Sequence, residues 1–243
     1  MQASFVLTVS ASKRLIAHGV MALPSFTRAL AAGTIAIVKG TTNAYLAELV
    51  TGRPLDKLGY ARGRVTAPGA TWGEAPDLPD LVLRHGAPVD LTLEQALEQM
   101  GPGDIYVKGA NALQPDRQAA GVLVGSPTAG TLGLYRTLGR PRQVELVIPV
   151  GLEKLISGEI AQAAAALGAP QGSGPVLVPV QGTIVTEIEA LQLCCGVAAC
   201  QVAAGGVLGA EGSVRLAVTG SPEALAQAER LVASLQHQPP FPA

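Results

Sequence analysis

The stretch from Gly33 to Gly52, GTIAIVKGTTNAYLAELVTG, constrains the rest of the chain more than any other. Thr34 to Val38 is a short run of β-formers. The small polar loop Lys39-Gly40-Thr41-Thr42-Asn43 interrupts it, and Ala44 to Val50 then shows helical spacing until Gly52. The order is strand, tight loop, helix. In such a unit the first free N–H groups of the helix and the loop amides converge, and the helix dipole adds partial positive charge at the same spot. An anion fits there without any special side chain. Thr41, Thr42 and Asn43 all suit a helix cap, so their side chains can either close the helix start, with nothing bound, or turn toward a ligand.

A second stretch, Gly103 to Asp116, repeats the chemistry. Ile105 to Val107 is a short apolar strand, and Lys108-Gly109-Ala110-Asn111 follows it. In open parallel sheets ligands sit at the carboxyl ends of strands, which puts Lys108 and Asn111 in the same kind of position as Lys39 and Asn43. Two such loops predict one crevice. Lys108 can neutralise a phosphate or carboxylate, or form an imine if its pKa is lowered, which makes it the candidate catalytic residue; a plain charge at a strand end is the alternative. A third Gly-rich segment, Gly125 to Thr131, links a strand at Gly121 to Val124 to a helix at Leu132 to Leu138, so Gly130 and Thr131 join the candidate ligand-binding set. The run Val144 to Val150, VELVIPV, is apolar enough to be buried on both faces of a sheet, and Gly151, Glu153 and Lys154 place a polar cluster at its end.

Composition bounds the partners. The chain has 243 residues, 48% hydrophobic and 14% charged, with a net charge of −1. That describes a compact globule with a sizeable core, and it offers no overall footprint for nucleic acid or an anionic membrane, although a local basic pocket is invisible to a sum. So few charges on so apolar a chain favour cover by a second copy, so a homo-oligomer is expected. The apolar run at the N-terminus precedes its positive charges, the reverse of a secretory signal, and the most apolar window, Cys194 to Ala210, is Gly-rich and contains Gln201. No membrane span is expected, and a cytoplasmic protein fits. Cys194, Cys195 and Cys200 read as small buried thiols, and no metal site is expected from them or from His18.

The remaining elements follow in order. Phe5 to Val9 alternates like a strand, and Ser10 or Ser12 can cap a helix that runs to Pro24, which opens a second helix to Ala32. Gly52 to Pro79, with Arg62, Arg64 and Trp72, reads as an irregular or hairpin-like excursion of the sort that builds a binding wall or lid, with surface cover or a subunit contact as the alternative. Leu81 to Leu83 suggests a strand, and Val89 to Met100 a helix with Thr92 as cap. A small helix at Glu159 to Leu167 leads into a linker, Gly168 to Pro175. Beyond it come a strand at Val176 to Val180, a helix at Thr186 to Cys195, strands at Ala199 to Ala203 and Ser213 to Thr219, and a helix at Pro222 to Leu235. This βαββα order resembles a ferredoxin-like unit. Thr186, Glu187 and Glu189 sit at a helix start, where the carboxylates stabilise the dipole and no catalytic role is needed. The tail from His237 should fray. The expected architecture is α/β: a mainly parallel sheet flanked by helices in an α/β ligand-binding domain, residues 1–167, followed by a C-terminal ferredoxin-like α+β subdomain, residues 168–243.

The strand-GTTNA-helix unit resembles the phosphate-binding GTGST-type loop of the ribose-phosphate isomerase, glucosamine-phosphate deaminase and CoA-transferase superfamily. The segment DIYVKGANALQPD resembles that superfamily's strand ending in a DGADE-type motif. More closely, it is similar to the TGSNAL-type segment of lactate-utilisation (LUD-type) domains, where a strand like VELVIPVGLEKLI follows. The similarity spans roughly residues 12 to 160 of the chain. It implies a small anionic metabolite, phosphorylated or CoA-linked, held by Lys39, Gly40, Thr41, Thr42, Asn43, Lys108, Gly109, Asn111, Gly130 and Thr131. The chain also departs from the pattern. Where the isomerases carry paired acids it has Lys108 and Asn111, and neither a catalytic Glu after Gly130 nor the glutamate motif of CoA transferases is matched. Isomerase-, transferase- or hydrolase-type chemistry therefore stays open beside a non-catalytic binding or sensing role and a purely structural one, and no cofactor is assigned.

Overall fold

The computed structural model describes residues 1–63, 65–66, 75–168 and 174–241. Arg64, Trp72 and most of the linker after Gly168 lie outside them. The centre of the molecule is a six-stranded mixed sheet. Its parallel part is formed by β2 (Thr34–Ile37), β5 (Ile105–Val107), β8 (Glu145–Pro149) and β10 (Thr183–Val185), in the order β10-β8-β5-β2. The antiparallel hairpin β3 (Leu81–Arg84) and β4 (Ala87–Val89) extends it beyond β2. All four residues of β2 and all three of β5 are buried, as expected for strands covered on both faces. The VELVIPV run is interior, flanked by β10 and β5.

Helices cover this sheet. α1 (Val9–Ala22) is capped by Thr8, whose side chain accepts the Ala11 N–H at 3.3 Å, one step earlier than the expected serines. α2 (Pro24–Ala32) starts with Pro24 at a position where the missing N–H costs nothing. α3 (Thr41–Thr51) follows β2, and α1 packs against both α3 and α7 (Glu187–Cys195). The α1–α7 crossing is close, since a Cβ on Gly19 would lie 2.5 Å from the Ala190 Cβ. The helix expected from Val89 begins later, as α4 (Leu93–Gln99), because Ala87–Val89 pairs back on β3 through a turn with positive φ at His85 and Gly86. Thr92 and Gln95 form its capping box. α5 (Gly130–Leu134) continues as a wider π-helical turn, Tyr135–Gly139. α6 (Ile160–Leu167) and α8 (Pro222–Leu235) complete the set among the described residues.

The expected C-terminal unit does not close on itself. Val176–Val180, β9, pairs antiparallel with β7 (Ala120–Val124), which in turn pairs with β6 (Ala112–Leu113). β9 sits at the edge of that ribbon, where Pro179 needs no ladder donor. Thr183–Val185, not anticipated as a strand, enters the parallel sheet beside β8. β11 (Ala198–Ala204) and β12 (Val214–Thr219) do pair, but their third strand is β1 (Gln2–Leu7) from the other end of the chain, giving the order β1-β12-β11. The antiparallel layer is therefore built from both termini.

The irregular segment after Gly52 braces the sheet. Tyr60 is buried and donates its hydroxyl to the Ile37 carbonyl at 2.6 Å while accepting the Leu81 N–H at 3.1 Å, which bridges β2 and β3. The C-terminal tail is docked: Gln238 accepts from Arg14, and Phe241 packs against the core. No single helix among the described residues is long and apolar enough to cross a membrane; α1 and α2 together meet the length but bend by 68° at Leu23.

Candidate functional site

The parallel strands run side by side, so their carboxyl ends deliver residues to one place. Val38 continues the ladder, its N–H donating to the Val107 carbonyl at 3.0 Å, and the Lys108 N–H donates to the Val147 carbonyl at 3.0 Å. Lys39, Lys108 and the Glu153-Lys154 pair thus follow three adjacent strands, β2, β5 and β8. They open onto a cleft of about 980 Å³. All of Lys39, Gly40, Thr41, Thr42 and Asn43 line it, together with Lys108, Gly109 and Asn111 and, from the start of α5, Gly130 and Thr131. The β6–β7 ribbon forms one wall, pinned by Asn111, whose Oδ1 accepts the Leu123 N–H at 3.0 Å.

The α3 N-terminus faces this space uncapped. Gly40 precedes it with no side-chain cap, and among the described residues no acceptor takes the backbone N–H groups of Thr41, Thr42 or Asn43. The hydroxyls of Thr41 and Thr42 likewise make no protein hydrogen bond there. Asn43 is 1% exposed; its Nδ2 donates to the Val38 carbonyl at 2.7 Å, and its Oδ1 is buried without a partner. An uncapped helix start of this kind holds partial positive charge that only a ligand or water can satisfy.

Charge is concentrated on the same cleft. The chain contains five lysines, Lys13, Lys39, Lys57, Lys108 and Lys154, and all but Lys57 line it. Arg62 stands at the exposed rim, and among the described residues Glu153 is the acidic one in the lining. A net charge of −1 conceals this convergence because acids elsewhere offset it. Lys39 is already engaged: its ammonium pairs with Asp77 and its backbone N–H donates to Asp80 Oδ1 at 2.6 Å. Lys154 pairs with Glu153 at 3.7 Å. Lys13 lies 4.9 Å from the centre of the Phe241 ring. Burial pushes the Lys13 ammonium down to about 8, aided by Lys154 and opposed by Glu153. Burial likewise lowers Lys108 to about 8, with Asp80 opposing and Arg62 assisting.

At the start of α7 lies a carboxylate the sequence reading took for a helix-dipole partner. Glu187 is fully buried, its Oε2 accepts the Leu152 N–H at 2.9 Å, and its Oε1 has no partner. Burial, reinforced by Glu153, raises it to about 7. The Glu153 carboxylate folds back over Gly151, where a Cβ would lie 1.7 Å from its Oε2, and that oxygen is also buried and unpartnered. The cleft therefore offers an anion nest, two ammonium groups with lowered pKa, and a carboxylate, Glu153, one of whose oxygens is buried without a partner.

Arg62 comes from the excursion expected to build a binding wall, while two contributors escaped the sequence reading, Lys13 and Phe241. Only Lys13 left a signal. It stands three and seven residues before Ile16 and Val20, on the buried stripe of α1, where a lysine has no structural reason to be. Cys200 is exposed on β11 rather than buried, while Cys194 and Cys195 are adjacent and unbridged. Among the described residues no three His, Cys, Asp or Glu side chains gather closely enough to hold a metal ion. Comparison with known protein families, characterised proteins and solved structures found no match.

Proposed function

We propose that the cleft binds a small anionic metabolite, phosphorylated or CoA-linked, and acts on it. The observation that carries this reading is the set of acceptor-free N–H groups at Thr41, Thr42 and Asn43, opening onto a cleft that gathers all but one of the chain's lysines. Preorganised amides and ammonium groups recognise phosphate oxygens at little reorganisation cost. The resemblance of the GTTNA loop to the phosphate-binding loop of the isomerase and CoA-transferase superfamily supports the same ligand class, on a mainly parallel sheet flanked by helices. A catalytic role is favoured over simple sensing because the lining includes Glu153, with an unpartnered oxygen, and two lysines lowered by burial. A homo-oligomer fits the apolar groups left on the surface, Val202, Val207 and Leu208, along β11 and the loop after it.

The test is a thermal-shift titration with inorganic phosphate, sugar phosphates, CoA esters and small carboxylates. A ligand at 100 times its Kd stabilises by roughly 2.7 kcal/mol, a rise of about 5–10 °C for a chain of this size. A phosphate-bearing class is expected to raise the melting temperature, and Thr42→Ala to weaken the response. Equal, negligible shifts across the panel would sink the reading.

A further inference from the structure

We propose that Lys108 is a covalent, imine-forming group and that the substrate is an aldehyde or ketone carrying a phosphate. This rests on the anion-binding reading above and adds the reacting function. The argument starts from the lysine inventory. Lys39, Lys57 and Lys154 each pair with a carboxylate, from Asp77, Glu48 and Glu153 respectively, and Lys13 sits over the Phe241 ring. Lys108 has neither kind of partner among the described residues, although it is half-buried. Leaving a buried ammonium unpaired is costly; Lys39, Lys57 and Lys154 offset that cost with a carboxylate, Lys13 meets an aromatic face, and Lys108 has neither contact.

Its position suits nucleophilic work. Lys108 stands at the carboxyl end of β5, an interior strand buried along its length, so its backbone is held rigidly by the bond to Val147. Gly109 follows it, and among the described residues beyond its chain neighbours only the Pro149 carbonyl, at 3.7 Å, comes near where a Cβ would stand. The α3 N-terminus opens into the same cleft, where a phosphate on the amides of Thr41 to Asn43 anchors a carbonyl compound beside the amine. Burial, opposed by the charge of Asp80 and assisted by that of Arg62, keeps part of the amine neutral near physiological pH, which an attacking nitrogen requires.

The step balances without a further reagent. The Nζ lone pair attacks the carbonyl carbon and the π electrons move to oxygen. The carbinolamine takes up one proton and loses water, leaving a protonated C=N bond to Lys108. Borohydride then reduces that bond to a stable secondary amine.

The experiment uses glycolaldehyde phosphate as probe, borohydride reduction and peptide mapping by mass spectrometry on the whole chain. One adduct per chain is expected, on Lys108, with at least tenfold less on Lys13, Lys39, Lys57 or Lys154. Glycolaldehyde without its phosphate should label Lys108 at least tenfold more slowly, and inorganic phosphate should compete. Lys108→Arg should lose the adduct, and the wild-type chain should show the thermal shift with inorganic phosphate. A phosphate shift on the wild-type chain with no preference for Lys108 would overturn the imine and leave the anion site standing. Equal labelling by the two aldehydes, with no phosphate shift on the wild-type chain, would overturn both. The peptide map on the wild-type chain decides the point even if the variant fails to fold.

Discussion

Lys13 is 7% exposed on the buried stripe of α1, and its cost is measurable. Its folded pKa of about 8 lies below the ordinary 10.5, so between those values the unfolded chain holds a proton that the folded chain has released. Stability therefore rises as pH climbs through that window, and Lys108 contributes with the same sign. Replacing the ammonium with a thioether of similar length removes the desolvation penalty. Lys13→Met is expected to stabilise the protein near neutral pH by about 1–3 kcal/mol and to flatten the rise at alkaline pH, read from urea melts across the window. The same variant should bind phosphate more weakly. A gain in stability coupled to a loss of affinity is the signature of a residue kept for its ligand rather than its fold.

Two elements hold the site in place. The first turn of α3 supplies the amides, and Thr41 is its first residue, after an extended Gly40. Proline is tolerated at that position and its ring presets the helical φ, so Thr41→Pro deletes one N–H without disturbing the helix. The melting temperature is expected to stay level or rise, and phosphate affinity to fall about fivefold to tenfold, measured by titration calorimetry. An unchanged affinity would place the anion elsewhere. The α1–α7 crossing is the second element. Because a Cβ on Gly19 would meet the Ala190 Cβ at 2.5 Å, Gly19→Ala forces the helices apart and is expected to cost about 1–3 kcal/mol in denaturant unfolding. The α3 unit was legible in sequence because strand, loop and helix are contiguous. The crossing was not, because Gly19 and Ala190 lie far apart in the chain and a glycine in a helix carries no mark of what it touches.

At the scale of the molecule, the two chain ends are joined by β1, which pairs with β12 from Gln2↔Thr219 to Leu7↔Val214. Deleting residues 2–7 would leave β12 with an unpaired edge and expose the buried Val214, Leu216 and Val218. A lower melting temperature and self-association are expected, checked by calorimetry and size-exclusion chromatography. A variant that kept the wild-type elution volume and melting point would mean the antiparallel layer stands without β1.

Local pattern alone determined the strand-loop-helix unit at Gly33 to Gly52, the matching strand end at Lys108, and most helix starts, since each depends on residues within a few positions of one another. It also determined that Lys39 and Lys108 follow short buried strands. Only the tertiary structure decided which strands are neighbours. Register and partner choice are set by side chains that meet across the fold, so β9 left the expected C-terminal unit for β7, β10 joined the parallel sheet, and β1 took the vacant place. The same long-range geometry turned Glu187 from a helix-start carboxylate into a buried acid and brought Lys13 and Phe241 to the cleft from opposite ends of the chain. Burial and charge coupling depend on what surrounds a group in three dimensions, and no spacing along the chain encodes that.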